Sequence, residues 1–144
     1  MADLLLGQVL RFTADPFAAG ETAAHHESHG AILIENGRIT ATGPADDLRR
    51  RHPQARLHDY GRSLITAGFI DAHVHYPQTA IIASWGKRLI DWLNSYTFPE
   101  EMRFGDRAYA DDIAGRYLDL VLARGTTTVC SYATIHPESV DAIF

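Results

Sequence analysis

The sequence predicts an α/β protein in two parts, a small β-rich part over residues 1–66 and the start of a parallel strand–helix structure over residues 67–144. Two observations predict this class, and a third concerns the end of the chain. Short apolar segments separated by turn residues fill the first half, whereas strand and helix patterns alternate in the second half. The last residues still follow a helical pattern without a cap, so we expect the chain to end within the fold of its second part.

A tight hairpin is the clearest feature of the first half. Strands are predicted over 31–35 and 38–42, because Asn36-Gly37 between them can supply the positive φ that both central positions of a tight turn require. A short helix is predicted over 45–51. Residues 14–30, rich in small and polar side chains, are expected to form a surface loop. Further strands are predicted over 4–12, 57–60 and 63–66.

One strong helix is predicted in the second half, over residues 106–124. Apolar side chains recur at every fourth position and form one stripe of Tyr109, Ile113, Tyr117 and Val121. Asp106 suits the N-cap, and Gly125 lies where a left-handed C-terminal cap belongs. The strands predicted over 68–75 and 126–132 flank this helix, so we expect them to be parallel, with a right-handed connection.

The stretch between the first of these strands and the helix, residues 76–105, is predicted to be a long loop with a short amphipathic helix around 87–93. Its aromatic side chains are Trp85, Trp92 and Phe98. They could form a lid that excludes water from a site, or they could simply pack the short helix. A second helix is predicted to begin at Pro137, because proline is favoured in the first turn.

Composition excludes several function classes. The 144 residues carry a net charge of −5, which argues against nucleic acid or an anionic membrane as the partner. No apolar run approaches the length of about 20 residues that a membrane-spanning helix needs. Cys130 is the only cysteine, so an internal disulfide is impossible and a cytoplasmic location is expected. We expect this cysteine to be buried on an apolar strand.

His73 and His75 carry the clearest chemistry in the sequence. Residues two apart on a strand point to the same side, so these imidazoles could bind one zinc ion at a Zn–N distance of about 2.0–2.1 Å. They lie at the carboxyl end of a strand that opens a strand–helix unit, where barrel enzymes place catalytic groups. Asp71 lies on the same side and could orient an imidazole. A His-x-His pair alone is weak evidence, and this context strengthens it.

Residues 68–75, Gly-Phe-Ile-Asp-Ala-His-Val-His, resemble the first metal motif of the amidohydrolase superfamily. Its members are metal-dependent (β/α)8 barrels with a small β-sandwich. Residues 76–79 and 89–100 look like those of the guanine deaminases within that superfamily, and residues 124–128 and 133–137 fit the same family. The resemblance implies that residues 1–66 form part of the β-sandwich and that residues 67–144 form the first two βα units of the barrel.

The same resemblance implies roles for individual residues. His73 and His75 would be the paired zinc ligands, and Gln78 would hydrogen-bond the purine, with Tyr76 and Pro77 lining the same wall. Asp71 would support the metal ligands. The remaining ligands, the general acid and the general base are expected beyond residue 144. We therefore expect no proton-transferring catalytic residue in this segment and no activity of the 144 residues alone.

The implied reaction of the full-length protein is the hydrolytic deamination of guanine to xanthine and ammonia, a step of purine catabolism. The cofactor would be Zn2+, which makes hydroxide available at neutral pH. The partner would be this small-molecule substrate, and the resemblance alone implies a homodimer. Two alternatives stay open: another hydrolase of the amidohydrolase superfamily, and a non-catalytic fragment.

The remaining histidines have less specific interpretations. His25, His26 and His29 lie in the predicted surface loop, where a solvated histidine-rich segment is favoured over a metal site. His136 precedes the second helix and could cap it or face the mouth of the site. A structural role is favoured for His136.

Overall fold

The α/β class predicted from the sequence is confirmed. A computed structural model describes residues 2–86 and 88–144, which divide into two units, Met1–Ala67 and Gly68–Phe144. The first unit is mainly β-sheet, and the second combines parallel strands with helices. Lys87, the predicted start of the short amphipathic helix, lies outside the described residues.

The first unit is built on a sheet of four strands, as far as the described residues show. The strands are β1 (Ala2–Phe12), β2 (Ala24–Glu35), β3 (Arg38–Pro44) and β4 (Arg56–Ile65). Their order in the sheet is β3-β2-β1-β4. The β1–β2 and β2–β3 pairs are antiparallel, whereas β1 and β4 are parallel.

The predicted hairpin is confirmed. Glu35 and Arg38 pair directly across a two-residue turn. The turn residues Asn36 and Gly37 have φ values of 51° and 75°, the left-handed conformation that such a turn needs.

The surface loop predicted over 14–30 is wrong in its second half. Helix α1 (Pro16–Ala19) and a 3-10 turn (Gly20–Ala23) occupy its first half, and β2 begins directly afterwards. Residues 24–27 and 30–35 of β2 pair with β1, for example His26 with Leu10, and the register shifts by one residue between these two stretches. Their side chains are largely exposed, so the composition is polar although the backbone is fully part of the sheet.

The two short strands predicted around Gly61 form one strand, β4. Its pairing with β1 shifts register between Leu6 and Gln8, so the segment around Gly61 bulges out of the ladder. Asp59 accepts a hydrogen bond from the backbone N–H of Gly61 at 2.8 Å and stabilises this bulge.

Helix α2 (Ala45–Arg51) has the predicted bounds and covers one side of the sheet. Its Ala45 and Leu48 pack into the core of the first unit. The strands contribute Leu4, Leu6, Ala31 and Leu33 to the same core. The sheet and the helix therefore share one apolar layer, which is what holds α2 in place.

An ion-pair cluster joins the parallel strands β1 and β4. The carboxylate of Asp3 accepts hydrogen bonds from Arg56 Nε and from His58 Nε2, each at 2.7 Å. These two hydrogen bonds hold the pKa of Asp3 below its ordinary value. The parallel register is thus supported by side chains as well as by the backbone ladder.

The second unit contains the predicted strand–helix–strand arrangement. Strands β5 (Phe69–His75) and β6 (Thr126–Tyr132) are parallel neighbours. They are joined through helix α5 (Arg107–Ala123), and helix α6 (Pro137–Asp141) follows β6. The predicted caps of α5 are confirmed: the Asp106 carboxylate accepts from the backbone N–H of Ala108, and Gly125 has a φ of 85°.

The long loop predicted over 76–105 is wrong, because helical turns fill most of it. A 3-10 helix (Tyr76–Ile81) follows β5, and residues 89–102 form one continuous helical segment. That segment consists of α3 (Leu89–Trp92), a π-helical turn (Leu93–Thr97) and α4 (Phe98–Met102). Pro99 lacks the N–H that a regular α-helix would use at this point, which accounts for the wide turn just before it.

The core of the second unit confirms the predicted stripe of α5. Ile113 and Tyr117 are buried, and Tyr109 and Val121 pack at the edge of the same cluster. The other buried members are Tyr76, Phe104, Ala110 and Ala114. The turn that follows β5 is therefore anchored by the same apolar cluster as the helix.

Two further sequence predictions concern the burial of Cys130 and the absence of membrane-spanning helices. Cys130 is exposed, so the expectation that it is buried is wrong. It lies on β6, where every residue is either exposed or only half-buried. No helix formed by the described residues is long and apolar enough to cross a membrane.

A matched pair of glycine substitutions tests the packing of β5 on β6. A Cβ at Gly68 would lie 2.0 Å from Thr127 Oγ1 and 2.7 Å from Thr127 Cβ, so Gly68→Ala should lower the free energy of unfolding by about 1–3 kcal/mol. Gly115 lies inside α5 with open space around it, so Gly115→Ala should raise the same quantity by about 1 kcal/mol. Urea unfolding of both variants measures this, and equal effects would contradict the close approach.

The Asp3 cluster predicts a pH dependence of stability. Because the pKa of Asp3 is lowered in the folded state, the ion pair stabilises fully above the ordinary value of 3.8, and the stabilisation is lost as the pH falls through the lower folded pKa. Asp3→Asn should therefore unfold at lower urea than the wild type at pH 7, with the difference vanishing in strong acid. Asp119→Asn, at an exposed carboxylate without an ion pair among the described residues, is the control. A gap that persists unchanged into strong acid would contradict this account.

Candidate active site

His73 and His75 lie side by side at the carboxyl end of β5. Their ring centroids are 5.4 Å apart, with the planes tilted by 48°. The two rings share one side of the strand because side chains alternate along it. The structure thus brings together the pair that the sequence singled out.

The pair fits two ligands of one metal ion. Two imidazoles that bind one zinc ion tetrahedrally place their ring centroids about 5 Å apart, given a Zn–N distance of about 2.0–2.1 Å. The described residues contain no group of three or more histidine, cysteine, aspartate or glutamate side chains placed to hold a metal. A catalytic zinc usually has three protein ligands, so this pair would be part of a larger set.

Tyr132 completes the histidine cluster, and sequence reasoning missed it. Its ring stacks on His75 with centroids 4.6 Å apart and planes within 12°, and it lies 5.1 Å from the ring of His73. His75 and Tyr132 are paired final residues of two adjacent parallel strands. That shared strand end is the signal by which the sequence could have identified Tyr132.

Asp71 contacts the backbone of the histidine pair. Its carboxylate accepts a hydrogen bond from the backbone N–H of His73 at 3.1 Å. It also lies near Tyr117, whose pKa is raised mainly by burial and further by the charge of Asp71. The Tyr117 hydroxyl is buried without a hydrogen-bond partner among the described residues. Asp71 therefore supports the strand just before the first histidine.

Gln78 lies three residues after His75, on the 3-10 helix Tyr76–Ile81. Its side-chain Nε2 donates a hydrogen bond to Glu101 Oε1 at 3.3 Å. Gln78 lines the same pocket as His73 and His75. The amide and the imidazoles are thus available to one ligand.

Tyr76 and Pro77, predicted to line the substrate wall, are part of the core. Both are buried, and the Tyr76 hydroxyl donates a hydrogen bond to the backbone carbonyl of Ser139. Burial raises the pKa of Tyr76. Neither residue lines the pocket at the histidines, so direct contact with a ligand stays a prediction.

The pocket at the histidines has a volume of about 510 Å³. Val74 lines it together with the two histidines, although its side chain leaves β5 on the opposite side. The pocket therefore extends from the end of β5 to side chains of α5. The other lining residues are Thr79, Ile81, Ile82, Ala83, Ser84, Trp92, Tyr117, Leu120 and Val121.

The three aromatic residues of segment 76–105 differ in their surroundings. Trp92 lines the pocket, and its Nε1 donates a hydrogen bond to Ser84 Oγ at 2.8 Å. Trp85 and Phe98 are exposed. Of the three, Trp92 is therefore held at the site, whereas a lid formed by the other two stays a prediction.

A buried carboxylate, which sequence reasoning also missed, joins α4 to α5. Glu100 is 7% exposed and accepts hydrogen bonds from the Tyr109 hydroxyl and from Arg103 Nη1. Burial, together with the hydrogen bond to Glu100, raises the pKa of Tyr109 to about 12. The guanidinium carbon of Arg103 lies 3.8 Å from the centroid of the Tyr109 ring. The cluster is fully paired, as a buried charge requires.

The other histidines with sequence predictions lie on other elements of the fold. His25, His26 and His29 are on strand β2 rather than in the predicted loop, and His26 hydrogen-bonds Gln8 Oε1 at 3.2 Å. His136 is the N-cap residue of α6, but its side chain makes no capping hydrogen bond. Its Nε2 is buried and has no partner among the described residues.

Known proteins resemble this chain along its whole length. The chain is 39% identical over 116 residues to a guanine deaminase from Escherichia coli (strain K12), covering 80% of this chain and 26% of that protein. The crystal structure of a guanine deaminase from Bradyrhizobium japonicum superposes with a TM-score of 0.90 at 31% identity, covering all of this chain and 32% of that one. A guanine deaminase from C. acetobutylicum with bound guanine in the active site superposes with a TM-score of 0.82 at 25% identity, over 99% of this chain and 32% of that one.

The chain thus spans about a quarter to a third of the length of the proteins it resembles. Residues 30–55 match a composite domain described as imidazolonepropionase-like and bacterial. Residues 64–144, which include β5, both histidines, α5 and β6, match the family described as Amidohydrolase. On the strength of this match, which covers more than half of the sequence, the chain belongs to the amidohydrolase family.

Proposed function

We propose that this chain is the N-terminal part of a zinc-dependent guanine deaminase, which hydrolyses guanine to xanthine and ammonia. The observation that carries the proposal is the placement of His73, His75 and Gln78 around one pocket. This placement lies within a chain that superposes over its whole length on a guanine deaminase. Imidazoles are zinc ligands, and an amide can hydrogen-bond the edge of a base, so the pocket carries groups for both a metal ion and a purine.

In this proposal His73 and His75 hold the zinc ion, and Asp71 and Tyr132 support them. Asp71 holds the backbone of His73, while Tyr132 restrains the ring of His75 by stacking. A bound zinc ion would supply hydroxide at neutral pH by lowering the pKa of a water molecule to about 7. Metal-binding histidines generally need neighbouring groups that hold their orientation, and Asp71 and Tyr132 would serve as such groups here.

Gln78 would bind the purine, because an amide offers a donor and an acceptor to the edge of a base. Tyr76 and Pro77 would line the same wall, and their burial anchors the turn that carries Gln78. Trp92 would close one side of the pocket and exclude water. The general acid and base would come from outside these 144 residues, together with the remaining metal ligands.

The domain assignment belongs to the same proposal. Residues 1–66 would be the first portion of a β-sandwich, and residues 67–144 would be the first two βα units of a (β/α)8 barrel. A cytoplasmic homodimer, acting on a small molecule in purine catabolism, completes the proposal.

The test is ammonia release from guanine by the full-length protein, with zinc quantified by mass spectrometry. We expect about one zinc ion per chain, as for a single catalytic site, and turnover of guanine in preference to adenine and cytosine. Zinc loading without turnover of guanine would contradict the substrate, and would leave another amidohydrolase activity as the alternative. Ammonia release by the 144 residues alone would contradict the incomplete site.

Removal of either histidine should abolish metal binding. In the full-length protein, His73→Ala or His75→Ala should lower the zinc content well below one per chain and reduce activity by at least about two orders of magnitude. His29→Ala, at an exposed histidine on β2, is the matched control and should keep full zinc content and activity. Normal zinc content in both site variants would contradict their role as ligands.

Removal of the Gln78 amide should weaken substrate binding more than it slows turnover. Gln78→Ala should raise KM for guanine by up to about tenfold. A hydrogen bond contributes about 0.5–1.5 kcal/mol, and about 1.4 kcal/mol corresponds to a factor of ten in affinity. Zinc content should stay unchanged, because the amide is not a metal ligand. A KM equal to that of the wild type would contradict purine binding by Gln78.

A further inference from the structure

Glu101 is the hydrogen-bond partner of the Gln78 side-chain amide among the described residues. The only hydrogen bond of this amide to another described residue joins Nε2 to Glu101 Oε1, at 3.3 Å. A carboxylate carries no proton at neutral pH and can only accept hydrogen bonds. The NH2 group of Gln78 must therefore face Glu101, and its carbonyl oxygen, on the other branch of the planar amide, is left free of this contact.

Glu101 is held in this position by its neighbour. Glu100, one residue earlier on α4, is buried against α5 through the Tyr109 hydroxyl and Arg103. Consecutive helical residues point about 100° apart, so the Glu101 side chain leaves α4 in a different direction from Glu100, and there it meets the Gln78 side chain. The acceptor is thus placed by the core and does not depend on a ligand.

The backbone of Gln78 is held equally well. Tyr76 is buried, and Thr79 Oγ1 donates to the Tyr76 carbonyl at 2.6 Å across the 3-10 turn. Both partners of the Gln78–Glu101 hydrogen bond are therefore positioned before any ligand binds. Pre-organisation of this kind lowers the entropic cost of binding.

We propose that Glu101 is a positioning residue that fixes the Gln78 amide with its carbonyl oxygen toward the ligand, so that the site selects a purine edge bearing an N–H donor. The inference rests on the proposed function. A freely rotating amide could present either end, and its NH2 group would oppose the N–H of guanine. Fixing the amide reserves its carbonyl oxygen as the hydrogen-bond acceptor for the N–H of the ligand, while one N–H of the amide stays bonded to Glu101.

Charge reversal at Glu101 tests this directly in the full-length protein. A lysine ammonium can only donate, so Glu101→Lys should turn the amide round and present NH2 to the ligand. We expect KM for guanine to rise about tenfold, with kcat within about twofold of the wild type. Glu101→Gln keeps an oxygen that can accept from Nε2, so it should restore KM to within about threefold of the wild type.

A double-mutant cycle separates positioning from a general structural effect. If Glu101 acts through the amide, Glu101→Lys should change KM by less than about twofold when Gln78 is already alanine. Asp119→Lys, a charge reversal at an exposed site on α5 outside the pocket, should leave KM unchanged. Equal KM values for Glu101→Lys and Asp119→Lys would overturn the inference, as would a tenfold rise that persists without the Gln78 amide.

A second measurement decides the inference even if the protein does not deaminate guanine. With glutamine labelled by 15N, the Gln78 side-chain resonance can be assigned by its loss in Gln78→Ala. Its hydrogen-bonded Nε2 proton should shift clearly in Glu101→Lys and stay in place in Asp119→Lys. Absence of turnover by the wild type would sink the proposed function alone, whereas an unmoved Gln78 resonance in Glu101→Lys would overturn the role of Glu101.

Discussion

Parallel pairing of β5 with β6 is the constraint on which the candidate site depends. It brings the ends of two strands to one edge, so that His75 and Tyr132 become neighbours although they are far apart in the sequence. Alternation of side chains along β5 then places His73 beside them. At their other end, the lack of a Cβ at Gly68 permits the close approach of the chain to Thr127. The two histidines are thereby presented side by side at the end of a paired strand.

The helical segment that follows β5 adds the polar groups to this frame. Its two successive glutamates serve different purposes: Glu100 is buried and joins α4 to α5, while Glu101 contacts Gln78. The buried charge is tolerated because its partners are in place, since an unpaired carboxylate in the core would cost several kcal/mol. One short helix, α4, therefore contributes both to the packing of this part of the fold and to the position of the Gln78 amide.

In the first unit, one part of the sheet is stabilised mainly by side-chain packing and another part mainly by backbone hydrogen bonds. Its apolar layer under α2 holds the sheet, whereas the histidine-bearing part of β2 is kept in the sheet by its backbone ladder. The polar composition of that part follows from its exposed position on the strand. A sequence pattern that reports side-chain environment cannot reveal a strand of this kind, because the stabilising groups are in the backbone.

The sequence by itself determined the local features whose stabilising groups lie close together along the chain. The hairpin at Asn36-Gly37, the bounds of α2, the caps and stripe of α5 and the common side of His73 and His75 all follow from such short-range rules. The tertiary structure alone decided the helical segment in place of a long loop, the burial of Tyr76 and Glu100, and the stacking of Tyr132 on His75. Each of these depends on groups brought together from distant positions, because packing and hydrogen-bond partners across the fold override local propensity.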